Sequence, residues 1–512
     1  MHTPRFLNVL PYRCLALPLT FLAATAHAGG FEVPANGTEA LGRGGAFTAK
    51  ADSPLALEYN VAGLAGQRGT RLLFDNNLYF ASYTFARAGG DSFGPYAEAT
   101  ASATPPFYAP WFGLSTDFGF FKHFTFAIGA FGPSSIGKRT FSLVAPGGMD
   151  GAGNPLTRPG SSRYDIANTD LLIFFPTAAI AFRPHKMIDI GISGQQVTAM
   201  LDLASATYVP QSLPRYPASA ACTQSPQDPG CDTITRIHVR SFDNFMLQLG
   251  ALFHPTDNVD LGFNVKSAVN LGMRPIRAQG TVSASEPPYL AGSALGADHM
   301  DGEFETWLPW VFRLGVRYAG KKEGRELWDV EANFVYEAWS WLDGTDNKLT
   351  LLNPPALVNR GKPLTLNLPH NYRDTLGIRL GGSVHIPTGQ SSEVIVRLGA
   401  LYDSSASSSA DQRLDFDTLH KLGGTAGLGL TVRGVTLNLA YAYLHSLSRE
   451  VTDGQLSTVD GTTGMPLMQN DMLAPAINNG KYSGWTQIAS LGLSIQFDEL
   501  VKGPGWQSRY NR

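Results

Sequence analysis

Apolar and polar residues alternate strictly over several long stretches, the signature of strands that separate two environments. From 309 to 318, Trp310, Phe312, Leu314, Val316 and Tyr318 share one face, while Arg313, Gly315 and Arg317 share the other. From 327 to 337, Trp328, Val330, Ala332, Phe334 and Tyr336 oppose Asp329, Glu331, Asn333 and Glu337. Further two-residue periods run over 376–386, 394–402 and 435–443. Charges on the second face are costly to bury in hydrocarbon, so that face must meet water or a partner charge. A closed barrel with an apolar outside and a polar lumen satisfies both faces.

Short turns are expected near 118–123, 183–187, 254–258, 319–326, 386–393 and 432–435, each joining two strands. With one strand near 70–87 before these six hairpins and one near 485–497 after them, the reading is 14 antiparallel strands, with both termini on the short-turn side. Seven longer Gly-, Pro- and Ser-rich stretches, at 88–107, 132–169, 208–233, 285–306, 343–371, 404–417 and 448–483, read as the loops of the other end. Trp307, Trp310, Trp328, Trp339 and Trp341 read as an interfacial girdle.

Composition agrees. The 512 residues contain 55 glycines, 29 phenylalanines and 18 tyrosines but only 16% charged residues, the balance of a transmembrane barrel rather than of several soluble domains. The net charge of −3 gives no sign of a nucleic-acid partner. At the N-terminus, Arg5 and Arg13 precede an apolar run from Cys14 to Ala26 and then Ala26-His27-Ala28, the pattern of a cleaved secretory signal over 1–28. That apolar run is too short to span a bilayer as a helix. Cys222 and Cys231, separated by eight residues, are expected to form a loop disulfide in an oxidising compartment. Neither a metal site nor a cofactor is expected. G-x-S-x-G, H-E-x-x-H and phosphate-loop motifs are absent, so no catalytic residue is assigned and an enzyme is not expected.

Residues 29–69 precede the first strand, and Phe31, Val33, Leu41, Phe47, Leu55, Leu57 and Leu64 favour their burial as a plug in the lumen. Gly30-Phe31-Glu32, then Ala40-Leu41-Gly42-Arg43-Gly44-Gly45-Ala46, then Asp52 and Asn60-Val61-Ala62-Gly63-Leu64-Ala65 resemble the N-terminal hatch of the FadL family of outer-membrane transporters, the OmpP1/TodX group. That resemblance implies an all-β, 14-stranded transmembrane barrel over 70–497, plugged by the 29–69 hatch and followed by a 498–512 tail. It further implies a monomer in the bacterial outer membrane, among its lipid and lipopolysaccharide. Hydrophobic ligands, long-chain fatty acids foremost, would pass from an external groove to a hatch-side pocket and leave sideways through a gap at a kinked strand. Phe31 is the implied ligand contact, with Val33 beside it, and Leu41, Gly42, Arg43, Asn60, Ala62 and Gly63 hold the hatch. Val61 stands where the family has proline, which weakens the turn expected there. Arg313 and Arg317, pointing into the lumen, are candidates for a ligand carboxylate, although lumen arginines commonly pair with carboxylates such as Asp329 or Glu331. The competing readings are a porin for polar solutes, with an open channel lined by charge, and an adhesin or structural barrel acting through its loops.

Overall fold

The computed structural model describes residues 36–502, apart from 92–93, 103–105, 133–137, 150, 154, 210–226, 228, 290–297, 343, 345, 355–357, 417, 462 and 470–471. Phe31, Val33, Cys222, the 1–28 signal and residues 503–512 lie outside the described residues.

Fourteen antiparallel strands close into a barrel. They are β1 (Thr70–Arg87), β2 (Ala99–Ser102 and Phe107–Thr116), β3 (Phe124–Phe131 and Lys138–Thr140), β4 (Asn168–His185) and β5 (Ile188–Tyr208). Next come β6 (Asp232–Thr256), β7 (Val259–Lys266 and Ile276–Ser285), β8 (Asp298–Thr306 and Trp310–Lys322) and β9 (Arg325–Ala338 and Asn347–Leu351). The wall continues through β10 (Leu364–Leu368 and Thr375–Pro387), β11 (Ser392–Asp403), β12 (Lys421–Val432), β13 (Val435–Val451) and β14 (Gly480–Gln496). β14 pairs with β1 from Arg71↔Gln496 to Arg87↔Gly480, which closes the barrel. Closure is what hydrocarbon demands, because an unpaired backbone group there costs several kcal/mol.

All six short turns fall where alternation stops. The β8–β9 and β12–β13 turns place Glu323-Gly324 and Arg433-Gly434 at positive φ, the geometry that matches strand twist across a two-residue hairpin. Outward residues such as Leu314, Val316, Val330 and Phe334 are exposed around the waist, whereas Arg313, Arg317, Asp329, Glu331 and Asn333 are buried inside.

The structure corrects several of these expectations. The expected loops 88–107 and 132–169 contain the wall segments Ala99–Ser102 and Lys138–Thr140, which pair with β1 and β4. The expected loops 285–306 and 343–371 contain Asp298–Thr306, Asn347–Leu351 and Leu364–Leu368, which pair with one another and raise the wall. Sequence alternation misses these last three because Trp307-Leu308-Pro309 and residues 339–346 interrupt the period. The last ladder pair is at Gln496, not Phe497; Phe497–Lys502 forms a short helix, and the Asp498 carboxylate receives the Thr70 N–H at 2.9 Å, capping the start of β1. Trp339 is not part of a girdle. The chain leaves the ladder there in a 3-10 turn, which sends the ring inward onto Tyr372 (4.7 Å between centroids) and its Nε1 to Glu337 at 3.0 Å. Trp307 and Trp310 are half-buried against the core, while Trp328 and Trp341 face outward.

The interruption of β7 at 267–275 is sealed. Asn270, at φ 50, accepts the Phe245 N–H at 3.2 Å and donates to Asn244 at 2.8 Å, and Ser267 exchanges bonds with Leu247 at 2.7 and 2.9 Å. A side-chain amide thus replaces the missing ladder bonds. No comparable patch is recorded between β2 and β3 among the described residues, where pairing covers only Phe112–Thr116 against Phe126–Ala130.

Candidate functional site

Residues 36–69 fill the lumen toward the short-turn end. Helices α1 (Thr38–Gly42) and α2 (Ala56–Tyr59) and a 3-10 turn (Val61–Gly66) are each under two α-helical turns long, too short to show a helical period in sequence. Their backbone lies on flat spots of the wall made by glycines facing one another across strands. Gly381↔Gly399 receives Arg43, Gly262↔Gly315 receives Thr48 and Ala49, and Gly191↔Gly250 receives Val61 and Ala62. At Gly113↔Gly129 it is side chains that approach, the Pro54 Cβ and the Leu57 Cδ1. A Cβ on Gly42 would stand 3.0 Å from the Gly427 Cα, so that contact too excludes side chains.

Charge locks the hatch in register. The fully buried Arg43 guanidinium makes two bonds to Asp329 (2.6 and 2.8 Å), one to Ser383 and a longer one to Glu331 at 3.4 Å, while its Nε reaches back to Ala46 O at 3.0 Å. Glu331 also accepts the Ala49 and Lys50 N–H groups at 2.7 and 3.1 Å, and Asn333 accepts those of Phe47 and Thr48 at 3.0 and 3.1 Å. Charge-assisted, two-pronged bonds of this kind are strong and directional. Asn60 accepts from Ala62 N–H at 3.2 Å as the cap of the 3-10 turn and donates to Thr48 O at 2.9 Å. Val61 follows the cap, at the position where proline is tolerated because the N–H has no helical partner, so valine leaves the cap intact. Leu41, Gly42, Ala62 and Gly63 are buried in the same unit; a Cβ on Gly63 would overlap Ala51.

Two cavities of opposite character lie inside the barrel, one walled by strand and loop residues alone and the other bordered by the plug. On the long-loop side, a chamber of about 520 Å³ lies among Leu203, Ile237, Phe304, Leu349, Leu366 and Ile477. Its polar corner holds Arg413, paired with Asp165 at 2.9 Å, and Asp415, which contacts His370 at 2.6 Å. Burial disfavours both carboxylates. It keeps Asp165 above the ordinary range, whereas His370 and Arg413 outweigh it at Asp415 and hold that group down at about 2. On the short-turn side, a vestibule of about 700 Å³ is lined by charged groups including Lys50, Asp52, Arg68, Arg183, Asp189 and Glu326. There Glu326, Asp329 and His385 bring ligand atoms within 4.8 Å of one another, but Arg43, Lys50 and Arg317 already neutralise those carboxylates, so the group does not fit a cation.

Arg313 donates to the Glu58 carbonyl at 3.1 Å, with its guanidinium 5.7 Å from the Tyr59 ring centre. Arg317 is engaged by Asp260 (2.8 Å), Asp329 (3.0 Å) and Glu326. Cys231 is disulfide-bonded. The chamber residues and the glycine pairs were not singled out from sequence. The glycines carried a signal, since Gly315 and Gly381 sit in the inward phase of their strands; Arg413, Asp415 and Asp165 lie in loops that have no period to read.

The described hatch begins at Asn36, whose amide donates to Gly132 O, where β3 is interrupted, and which also binds Asn77 (3.1 Å) and Tyr59 (2.8 Å).

The family model of outer membrane protein transport proteins (OMPP1/FadL/TodX) matches residues 19–476. Among solved structures, the chain is similar to a Pseudomonas aeruginosa FadL homologue, at 14% identity over 92% of this chain and 100% of the other, with a TM-score of 0.67. It is similar also to the Pseudomonas putida toluene transporter TodX, at 14% identity over 91% and 99% with a TM-score of 0.60, and to the Ralstonia pickettii toluene transporter TbuX, at 15% over 90% and 98% with a TM-score of 0.57. No curated protein sequence matches.

Proposed function

Because the chain belongs to the OmpP1/FadL/TodX family of outer-membrane transport proteins, a family of channels and not of enzymes, we propose that it passes hydrophobic small molecules, long-chain fatty acids foremost, passively across the outer membrane. The observation that carries this reading is the contrast across the hatch. The loop-side chamber is more apolar than polar and, at about 520 Å³, of the size of small-molecule sites (about 300–1,000 Å³), while the vestibule beyond is charged. An apolar ligand gains nothing by continuing into that vestibule. The sparse β2–β3 ladder beside Asn36 is the reading's sideways exit into the membrane.

Export by a cleaved 1–28 signal and a monomeric state belong to the same proposal, as do outer-membrane lipid and lipopolysaccharide as surroundings. The 29–69 hatch carries Phe31 and Val33 as ligand contacts, on the family resemblance alone. Arg313, four residues nearer the loops than Arg317, is the better carboxylate partner of the two. Arg317 is already surrounded by three carboxylates, so its role is to bind wall to wall. A fatty-acid carboxylate in the chamber would share Arg413 with Asp165; toluene, the cargo of TodX, asks for the apolar walls alone.

The test is Leu349→Trp, which fills the chamber. Binding of a radiolabelled long-chain fatty acid by the purified protein should weaken at least about tenfold, a change of about 1.4 kcal/mol, with the folded barrel's gel mobility unchanged. Unaltered affinity would remove the chamber from the path. Competition between the fatty acid and toluene then decides which the site prefers.

A further inference from the structure

The turn between β2 and β3 differs from the other five. Those turns carry charged or polar residues at their tips: Lys186, Asp257, Glu323, Gln390 and Arg433. This one, Asp117–His123, presents Phe118 (57% exposed), Phe120 (70%) and Phe121 (36%). The rings form one cluster, with Phe120 and Phe121 centred 4.4 Å apart and Phe118 and Phe121 lying 5.7 and 5.4 Å from Phe126. Phe126 is on the outward face of β3, in phase with exposed Phe124 and Ile128, while Thr125 and Ala127 point into the barrel. Phe124 in turn stacks on Phe182 of β4 at 4.6 Å. The cluster is therefore continuous with the lipid-facing belt and carries it past the end of the strands.

The turn is built to hold this arrangement. Phe118 sits at φ 55, which a bulky residue adopts only when its surroundings impose it. Thr116 Oγ1 accepts the Phe118 N–H at 3.0 Å, the Asp117 carboxylate accepts that of Gly119 at 2.8 Å, and Asp117 O accepts those of Phe120 and Phe121 at 3.3 and 3.0 Å. Lys122 and His123 follow at once.

We propose that this turn is immersed in the inner leaflet of the outer membrane, its phenyl rings among phospholipid acyl chains and Lys122 at the headgroups. The turn would anchor the foot of the hairpin whose ladder is the shortest described between neighbouring strands on the short-turn side. Short turns of such barrels face the periplasm, which fixes the leaflet, and aromatic rings favour that interface.

The full chain is reconstituted in phosphatidylethanolamine–phosphatidylglycerol vesicles with a nitroxide on Phe120→Cys and, separately, on Phe118→Cys. Collision with oxygen is compared with collision with a water-soluble nickel chelate, taking Leu314→Cys as the lipid-facing reference and Glu323→Cys as the aqueous one. The expected result is an oxygen-to-nickel ratio at both positions severalfold above that at 323 and close to that at 314. A ratio like that at 323 overturns the proposal in favour of an aqueous turn. Shielding from both reagents overturns it in favour of a protein contact.

Discussion

Replacing Arg43 with leucine should unlock the hatch and let ions through the barrel. The guanidinium is fully buried and joins the plug to β9 and β10 through Asp329, Glu331 and Ser383. Removing one partner of a buried, hydrogen-bonded ion pair costs about 3–5 kcal/mol because the other charge stays behind in a dry site. Asp329 keeps Arg317 at 3.0 Å and the Ser383 N–H at 3.1 Å, which places the expected loss toward the lower end. Since that loss falls on the plug and not on the wall ladder, the barrel should still assemble while steady conductance in a planar bilayer rises. Arg43→Lys keeps the charge but loses the two-pronged geometry and should fall between the two. Wild-type conductance in the leucine variant would mean that the glycine contacts alone hold the plug.

Gly399→Val is expected to have an effect of similar size by a steric route. A Cβ at this position would overlap the Arg43 carbonyl carbon and the Gly44 nitrogen, and the opposing Gly381 is as closely covered by the Arg43 carbonyl oxygen. Both obstacles are backbone, so no rotamer change relieves them, and overpacking of this kind costs about 1–3 kcal/mol or more. Protease should then cut within 36–69 in the folded protein. Gly424→Val supplies the control: its Cβ would meet nothing within 4 Å, and the hatch should stay protected. Equal protection in both variants would mean that the plug does not rest on the wall glycines.

The wall was legible from sequence because each strand touches lipid on one side and a polar interior on the other, so the two-residue period is written in charges as well as in apolar residues. Asp329 and Glu331 announced the lumen face of β9, and the β8–β9 register sets Arg317 opposite Glu331, from where it pairs diagonally with Asp329. The plug was legible only as composition and resemblance. Its helices are four and five residues long, and its partners come from strands up to several hundred residues away, as with Thr38 and Ser490 at 2.7 Å. Trp339 was misjudged because the chain abandons the ladder at that residue, which no local pattern announces. The chamber's polar corner joins Asp165 to Arg413 and His370 to Asp415 across loops, where register offers no guide.

The central claim, a barrel plugged by its own N-terminal segment with a hydrophobic site on the loop side, is tested most directly by measuring conductance and ligand binding on one preparation of the purified full chain. Negligible steady conductance in a planar bilayer together with saturable binding of a radiolabelled long-chain fatty acid is the predicted result. Large, steady conductance without binding would contradict it and leave an open pore for polar solutes.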